Sequence, residues 1–542
     1  MTELADAVAR KRALNPNASF IVQAPAGSGK TELLIQRYLT LLQQVDVPEA
    51  VLALTFTRKA ALEMRTRIIV ALEKAQYPLP NEASPQEIAR YQLAKTVLEQ
   101  NQKKNWQLLT NLNRFRIQTL DSFCQSLIRQ MPLLSTLTDT LSPTDQPTFL
   151  YRRAAQELLT TLESSAPWQK SLAHLLGHLD NRLDYLEDLL TEVLATREQW
   201  LPYLTTNPTI LRTQLESSLQ TVRDEQVNNL NNHFPKAYFS ELVTLLIFSL
   251  NHRPQSKSSF SIESTELNTQ HPDFIFWQAA SHLLLKETNQ WRQQVSLRDG
   301  FPPPSAEKDP IQKAYYGEMK RRAIDLLAAL QPQHELLVDL IRLKNAPPSS
   351  YTEKQWVILE ALCELLPALV AHLKVVFQTY RKVDYTEILL GALKALGEEE
   401  HPTDLALHLD YQIQHILIDE FQDTSITQFA LIKQLMAAWQ PEEGKTFFLV
   451  GDPMQSIYRF RKAEVGLFLQ VQKTGIGTLP CETLRLSVNF RANANLVAWI
   501  NYCFAQLLPK KENPHHGAIA FSPSEAFHTA PSTQPAVANR SG

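Results

Sequence analysis

One octapeptide constrains this 542-residue chain more than any other: Ala24-Pro25-Ala26-Gly27-Ser28-Gly29-Lys30-Thr31. It follows an apolar run, Phe20-Ile21-Val22-Gln23, of the kind that forms a strand buried on both faces. It precedes a stretch in which Leu33, Leu34, Tyr38, Leu41 and Leu42 share one helical side. A strand, a small-residue loop and a helix, in that order, let backbone N–H groups curl around phosphate oxygens while the helix N-terminus adds positive potential. In such a loop Lys30 reaches the β- and γ-phosphates and Thr31 ligates Mg²⁺. The whole chain holds only 14 glycines, so two within three residues are informative, and collagen-like or glycine-rich linker sequences are excluded.

The α/β character extends beyond this unit. Val51 to Phe56 reads as a strand, followed by a helix with Ala60, Ala61, Met64 and Ile68 on one face, and Arg116 to Leu120 reads as another strand. Leucine-rich helical periodicity then dominates from about 125 to 405. Strand signals return at Ile416-Leu417-Ile418, ending in Asp419-Glu420, and at Phe447 to Val450, ending in Gly451-Asp452. This predicts one parallel-sheet α/β domain in two pieces, 1–124 and 406–478, around a helical insertion at 125–405. A β-type segment from Thr483 to Phe490 and a helix from Asn493 predict a second domain opening at 479–523. Residues 524–542, rich in Ser, Thr, Pro and Ala, read as a disordered tail.

Charge and cysteine content exclude several classes. The net charge of −3 gives no global basic field, so nucleic acid would be held by a local groove. Four scattered cysteines without a CxxC pair argue against a disulfide framework or zinc module and fit a reducing cytosol. Met1 to Arg12 has no apolar core, and the most apolar short run, Val243 to Leu250, is far too short for a bilayer. A soluble cytoplasmic protein without a membrane partner is the expectation.

Asp419-Glu420 closes an apolar strand, where one carboxylate can serve a metal and the next can orient or deprotonate a water. Taken alone, such a pair serves equally as a helix cap. The wider text decides: Ile418 to Thr424 (IDEFQDT), Val450 to Arg461 (VGDPMQSIYRFR), Thr55 to Ala61 (TFTRKAA), Gln118 to Phe123 (QTLDSF) and Asn489-Phe490-Arg491. With the glycine loop, these blocks resemble superfamily 1 helicases of the UvrD/Rep type, and more closely the helicase part of the RecB/AddA exonuclease subunits. The resemblance implies a P-loop NTPase (RecA-like) motor domain that uses ATP and Mg²⁺ to move 3′→5′ on single-stranded DNA. It places nucleotide on Ala24 to Thr31 and Phe490, the metal on Thr31 and Asp419, and catalysis on Glu420, Gln455 and Arg491. Gln455 would sense the γ-phosphate and couple it to the DNA groove, and Arg491 would act as an arginine finger. Phe490 stands where the family stacks a tyrosine on adenine, and Phe460 where a tryptophan stacks on a DNA base. Phe56, Thr57, Arg58, Lys59 and Tyr458 complete the implied DNA strip, with core packing the competing reading for Phe56.

The sequence departs from that pattern in three places. Glu32 replaces the arginine that commonly follows the loop, and Arg10 or Arg12 falls where a glutamine reads adenine. The chain ends about 50 residues after Arg491, without the family's later motor motifs or a nuclease block. Mg-ATP binding with weak or no hydrolysis and little unwinding is therefore expected of this chain alone. The implied partners are DNA, single-stranded or at a junction, and an exonuclease partner subunit. The alternative is a catalytically weak nucleotide- and DNA-binding regulator. A metabolic kinase would explain the loop and the acidic pair but not the Gln455-Ser456-Ile457-Tyr458 block. Lys320, Arg321, Arg322, Arg342 and Lys344 in the insertion read as solvated helix faces, and the histidines show no zinc-ligand spacing.

Overall fold

Runs that are apolar on both sides belong in the middle of a sheet, where helices cover both faces. In the computed structural model, which describes residues 4–79, 83, 85–131, 141–204, 208–253, 267–459, 462–510, 512 and 517–528, they lie there. Strands β1 (Phe20–Gln23), β2 (Val51–Thr55) and β3 (Arg116–Thr119) come first in the chain. Two-residue strands β4 (Ser142–Pro143) and β5 (Lys382–Val383) pair with each other. Then follow β6 (His415–Ile418), β7 (Thr446–Gly451), β8 (Glu482–Arg485), β9 (Val488–Asn493) and β10 (Glu525–His528). Six of them form one sheet in the order β3-β2-β6-β7-β1-β8, every pairing parallel. Every residue of β1, β2, β6 and β7 is buried, whereas edge strand β3 alternates and β8 is mostly exposed.

Helices α1 (Ala7–Ala13), α2 (Lys30–Leu42), α3 (Arg58–Lys74), α4 (Pro85–Lys103) and α5 (Leu120–Gln130) accompany this sheet. Leu34, Tyr38 and Leu41 of α2 share one core with Met64 and Ile68 of α3 and with Phe20, Val22, Phe448 and Val450. Two helices start on threonine caps: Thr57 accepts from Ala60 N at 3.1 Å, and Thr119 from Ser122 N at 3.2 Å.

Three sequence expectations need correction. The segment Thr483–Phe490 is not one strand opening a second domain at 479. Its first part is β8, an edge of the first sheet, in register with β1 (Val22 opposite Leu484). The ladder stops because the amides of Ser487 and Val488 both turn onto the Asp6 carboxylate, at 3.0 and 3.1 Å. The tail is not disordered throughout: Glu525–His528 forms β10 beside β9, while 529–542 lie outside the described residues. The helical insertion is narrower than 125–405. The chain divides into one unit of Met1–Ala155, Leu190–Gln199 and Ala371–Gly542, and another of Gln156–Leu189 and Trp200–Val370.

A buried ion cluster explains why Leu190–Gln199 belongs to the first unit. The Arg197 guanidinium, 0% exposed, donates to both Asp384 oxygens at 2.6 and 2.7 Å and reaches Glu387 at 3.3 Å. Tyr151 Oη donates to the same aspartate, which also caps helix Tyr385–Leu396 by accepting from Glu387 N at 2.8 Å.

The second unit is helical, with Phe234, Leu242, Leu246, Phe276, Trp277, Leu327 and Leu340 in one core. Its basic residues are engaged locally: Arg321 with Glu318 and Asp325, Arg322 with Glu241, and Lys344 with the Lys286 carbonyl. Helix Glu353–Tyr380 is long and apolar enough to cross a membrane by length and composition, a test that core helices also pass; 44% of its most apolar window is buried. A scan for unbroken apolar runs overlooks it because charged residues are interspersed.

Breaking the Arg197 cluster should be costly. Arg197→Met leaves buried carboxylates without their counter-ion, so urea denaturation should show a loss of about 3–5 kcal/mol. An unchanged unfolding midpoint would mean that the cluster is not closed in solution.

Candidate functional site: a phosphate loop facing an acidic doublet

In an all-parallel sheet the strands end at one edge, and loops after neighbouring strands meet there. Here β6, β7 and β1 are consecutive, so their ends place Asp419-Glu420, Gly451-Asp452 and the loop 24–29 side by side. Strands β1 and β6 are two spacings apart, about 10 Å, which a lysine and a glutamate can bridge. They do: Lys30 Nζ stands 2.6 Å from Glu420 Oε2.

The loop has the shape and the unmet donors of an anion cradle. Gly27 and Gly29 sit at φ +78° and +79°, and Gly29 ends the loop as the N-cap of α2. A Cβ on Gly27 would lie 2.5 Å from Asn489 Oδ1, so a larger residue would have to displace the Asn489 amide as well as bear the positive φ. Ser28 Oγ is buried without a hydrogen-bond partner among the described residues, a polar group that suits a phosphate oxygen. Thr31 follows Lys30 in the first turn of α2, half-buried.

Opposite the loop, negative charge exceeds positive. Burial pushes Asp419 up to about 6, with Lys30 opposing the shift and Glu420 adding to it. Asp423 is also pushed up to about 6 by burial and by Glu420, and burial raises Asp452. Carboxylates that resist ionisation together are the donor set a divalent cation relieves, so the residues fit Mg²⁺ as well as phosphate. Glu420 itself lies at φ +54°, an uncommon conformation for a non-glycine residue and a local strain at the tip of the strand.

Residues 6–475 match the profile of the UvrD/REP helicase N-terminal domain. The chain belongs to the UvrD/REP helicase family. Among its relatives, an ATP-dependent helicase/nuclease subunit from Desulfitobacterium hafniense (strain DSM 10664 / DCB-2) is 28% identical, over 92% of this chain and 36% of the relative. The protein of the same name from Bacillus cytotoxicus is 26% identical over 90% of this chain and 38% of its own length. That from Moorella thermoacetica is 26% identical over 90% and 34%. The chain thus spans little more than a third of the curated relatives it matches.

Within this helicase domain the other sequence-selected residues distribute as follows. The strand carrying Asn489, Phe490 and Arg491 lies directly on the loop: Asn489 Nδ2 donates to Ala26 O at 3.0 Å and Phe490 N to Gly27 O at 2.8 Å. The Arg491 Cβ comes within 3.0 Å of where a Gly27 Cβ would stand. The Phe490 ring has the Arg10 guanidinium 5.1 Å from its centroid and the Phe527 ring at 5.0 Å. Gln455, exposed, donates its amide to Asp452 rather than meeting Lys30. Phe56 is half-buried and pairs with Tyr458, ring centroids 5.1 Å apart, so it is not a core residue. Thr57, Arg58 and Lys59 are exposed in the same loop and first helical turn. Phe460 lies outside the described residues.

The sequence alone assigned no role to Asp6 or Gln422, and it marked Arg10 and Glu32 only as departures from the family pattern. Asp6 and Arg10 pair at 2.7 Å, and Arg10 Nη2 donates to Ser28 O at 2.7 Å, so Arg10 braces the loop. Glu32, where an arginine is usual, is paired with Arg90 of α4 at 2.8 Å. Gln422 stands inside the quoted acidic block, yet only the strand order reveals its partners.

The raised acids set a pH dependence. A carboxyl whose folded pKa lies near 6, above its usual value, contributes stability that is present in acid and lost as pH rises through about 6. Asp419→Asn removes that penalty, so its melting temperature at pH 7.5 should exceed wild type by about 2–4 °C, with a flatter profile between about pH 5 and 7. Equal melting curves at both pH values would refute the electrostatic conflict.

Proposed function

We propose that this chain is the ATP-dependent motor part of a DNA helicase that moves 3′→5′ along single-stranded DNA. The Lys30–Glu420 contact carries the reading, since it joins a phosphate cradle to a carboxylate that can activate water, 390 positions away in sequence. Bound Mg-ATP supplies the phosphoanhydride and the cation. Lys30 and the loop amides hold the β- and γ-phosphates, with Thr31 and Asp419 as the metal's protein ligands. As Lys30 turns toward phosphate, Glu420 loses its counter-ion and becomes free to orient the attacking water and take its proton. Gln455 senses the γ-phosphate, Arg491 stabilises its developing charge, and Phe490 stacks on the base.

The Phe56–Tyr458 pair, with Thr57, Arg58 and Lys59, forms the strip on which DNA bases stack and phosphates rest. The setting is cytoplasmic. Its relatives are named as one subunit of a helicase/nuclease, which also supports a nuclease-bearing partner for this chain.

Lys30→Ala should weaken ATP binding about 10- to 150-fold, the loss of a charged hydrogen bond worth about 1.5–3 kcal/mol. Equal affinity for wild type and variant, measured with a fluorescent ATP analogue, would overturn the phosphate-loop assignment. Glu420→Gln should keep ATP affinity while lowering DNA-stimulated hydrolysis about 10²- to 10⁴-fold. A Glu420→Gln chain that matches a measurable wild-type rate would remove Glu420 from the water-activating role.

A further inference from the structure

Between the acidic doublet and the strand end after β7 lies a side chain with both hydrogen-bonding ends engaged. Gln422, 2% exposed, donates through Nε2 to Glu420 Oε2 at 2.8 Å and accepts through Oε1 from Asp452 N at 3.0 Å. Asp452 in turn accepts from the Gln455 amide, and Ser456 Oγ reaches back to Gln422 O at 3.4 Å. Three residues past Gln455 the chain reaches Tyr458, which meets Phe56. The two segments approach so closely that a Cβ on Gly451 would lie 2.2 Å from Gln422 Oε1 and would force the carboxamide to move.

We propose that Gln422 is a positioning residue that locks Glu420 to the Asp452–Gln455 turn, so that the water-activating carboxylate and the aromatic strip move as one body. The proposal rests on the helicase reading and adds the element that transmits state between its two sites. A primary carboxamide suits the place because it offers a donor to a carboxylate and an acceptor to a backbone N–H at the same time. Glutamate would put a further negative charge beside Glu420 and Asp423. Methionine would fill the volume with neither function. When Lys30 leaves Glu420, the carboxylate's remaining side-chain partner is the Gln422 amide, so a shift of the glutamate is felt at Asp452 N–H rather than dissipated.

The test is a linkage measurement on the full chain. Anisotropy of a labelled oligothymidylate gives its Kd with and without Mg-AMP-PNP, and a fluorescent nucleotide gives the reciprocal titration. In wild type the nucleotide should change DNA affinity by about 5- to 150-fold. In Gln422→Met each ligand alone should bind within about threefold of wild type, while the coupling falls to within about twofold of unity. Gly451→Ala, which keeps the glutamine but drives its carboxamide aside, should lose coupling in the same way and decides the matter if Gln422→Met does not fold. Coupling retained in either folded variant overturns the relay, as does a Gln422→Met protein that simply loses nucleotide affinity. A wild-type chain that binds both ligands without any coupling also overturns it, whereas one that binds neither removes the helicase reading itself.

Discussion

The Lys30–Glu420 ion pair is the contact on which the functional architecture turns, and the sheet makes it possible. Two strands that never touch, β1 and β6, are held about 10 Å apart by β7 between them. A short side chain at either end would leave a gap, and the lysine and glutamate stems together span it. Because all pairings are parallel, both residues leave the sheet at the same edge. The helical unit of Gln156–Leu189 and Trp200–Val370 can therefore interrupt the chain without disturbing the pair, since the register of β6 on β2 and β7 restores Glu420 to its place.

That arrangement conflicts with stability in ways that suit a site awaiting a ligand. Several carboxylates face Lys30, the Ser28 hydroxyl is buried without a partner among the described residues, and Glu420 holds a left-handed backbone. Elsewhere in the same unit a buried charge is neutralised: Arg197 meets two acids, Glu387 and the tyrosine-bonded Asp384. The contrast separates a structural ion cluster, closed on itself, from a functional one left open toward solvent and ligand.

Much of this was legible in the sequence because it is local. The strand–loop–helix around Lys30, the acidic doublet ending β6 and the buried runs of β2 and β7 each follow from residue order within a dozen positions. The order of the blocks supplied the family. What was not legible depends on strand order or on distant partners. Gln422 reads as one more polar residue until β6 and β7 are known to be adjacent. Thr483 to Phe490 reads as one strand because nothing within it signals the break, which is imposed by a carboxylate more than 480 positions upstream. The boundaries of the insertion depend likewise on a distant contact, the burial of Arg197 against Asp384.

The break at Ser487 also explains why Arg10 stands where it does. Asp6 is 4% exposed, and burial alone would raise its pKa; Arg10 and the two amides of Ser487 and Val488 outweigh that and hold it below the usual carboxylate range. Its charge thus performs two tasks at once, ending the first sheet and orienting Arg10. The oriented guanidinium donates onward to Ser28 O and lies over the Phe490 ring. A neutral glutamine at position 10 could reach the loop but could not form the bidentate pair that keeps Asp6 ionised. The same carboxylate that orients Arg10 toward the nucleotide loop therefore also fixes the start of the second sheet.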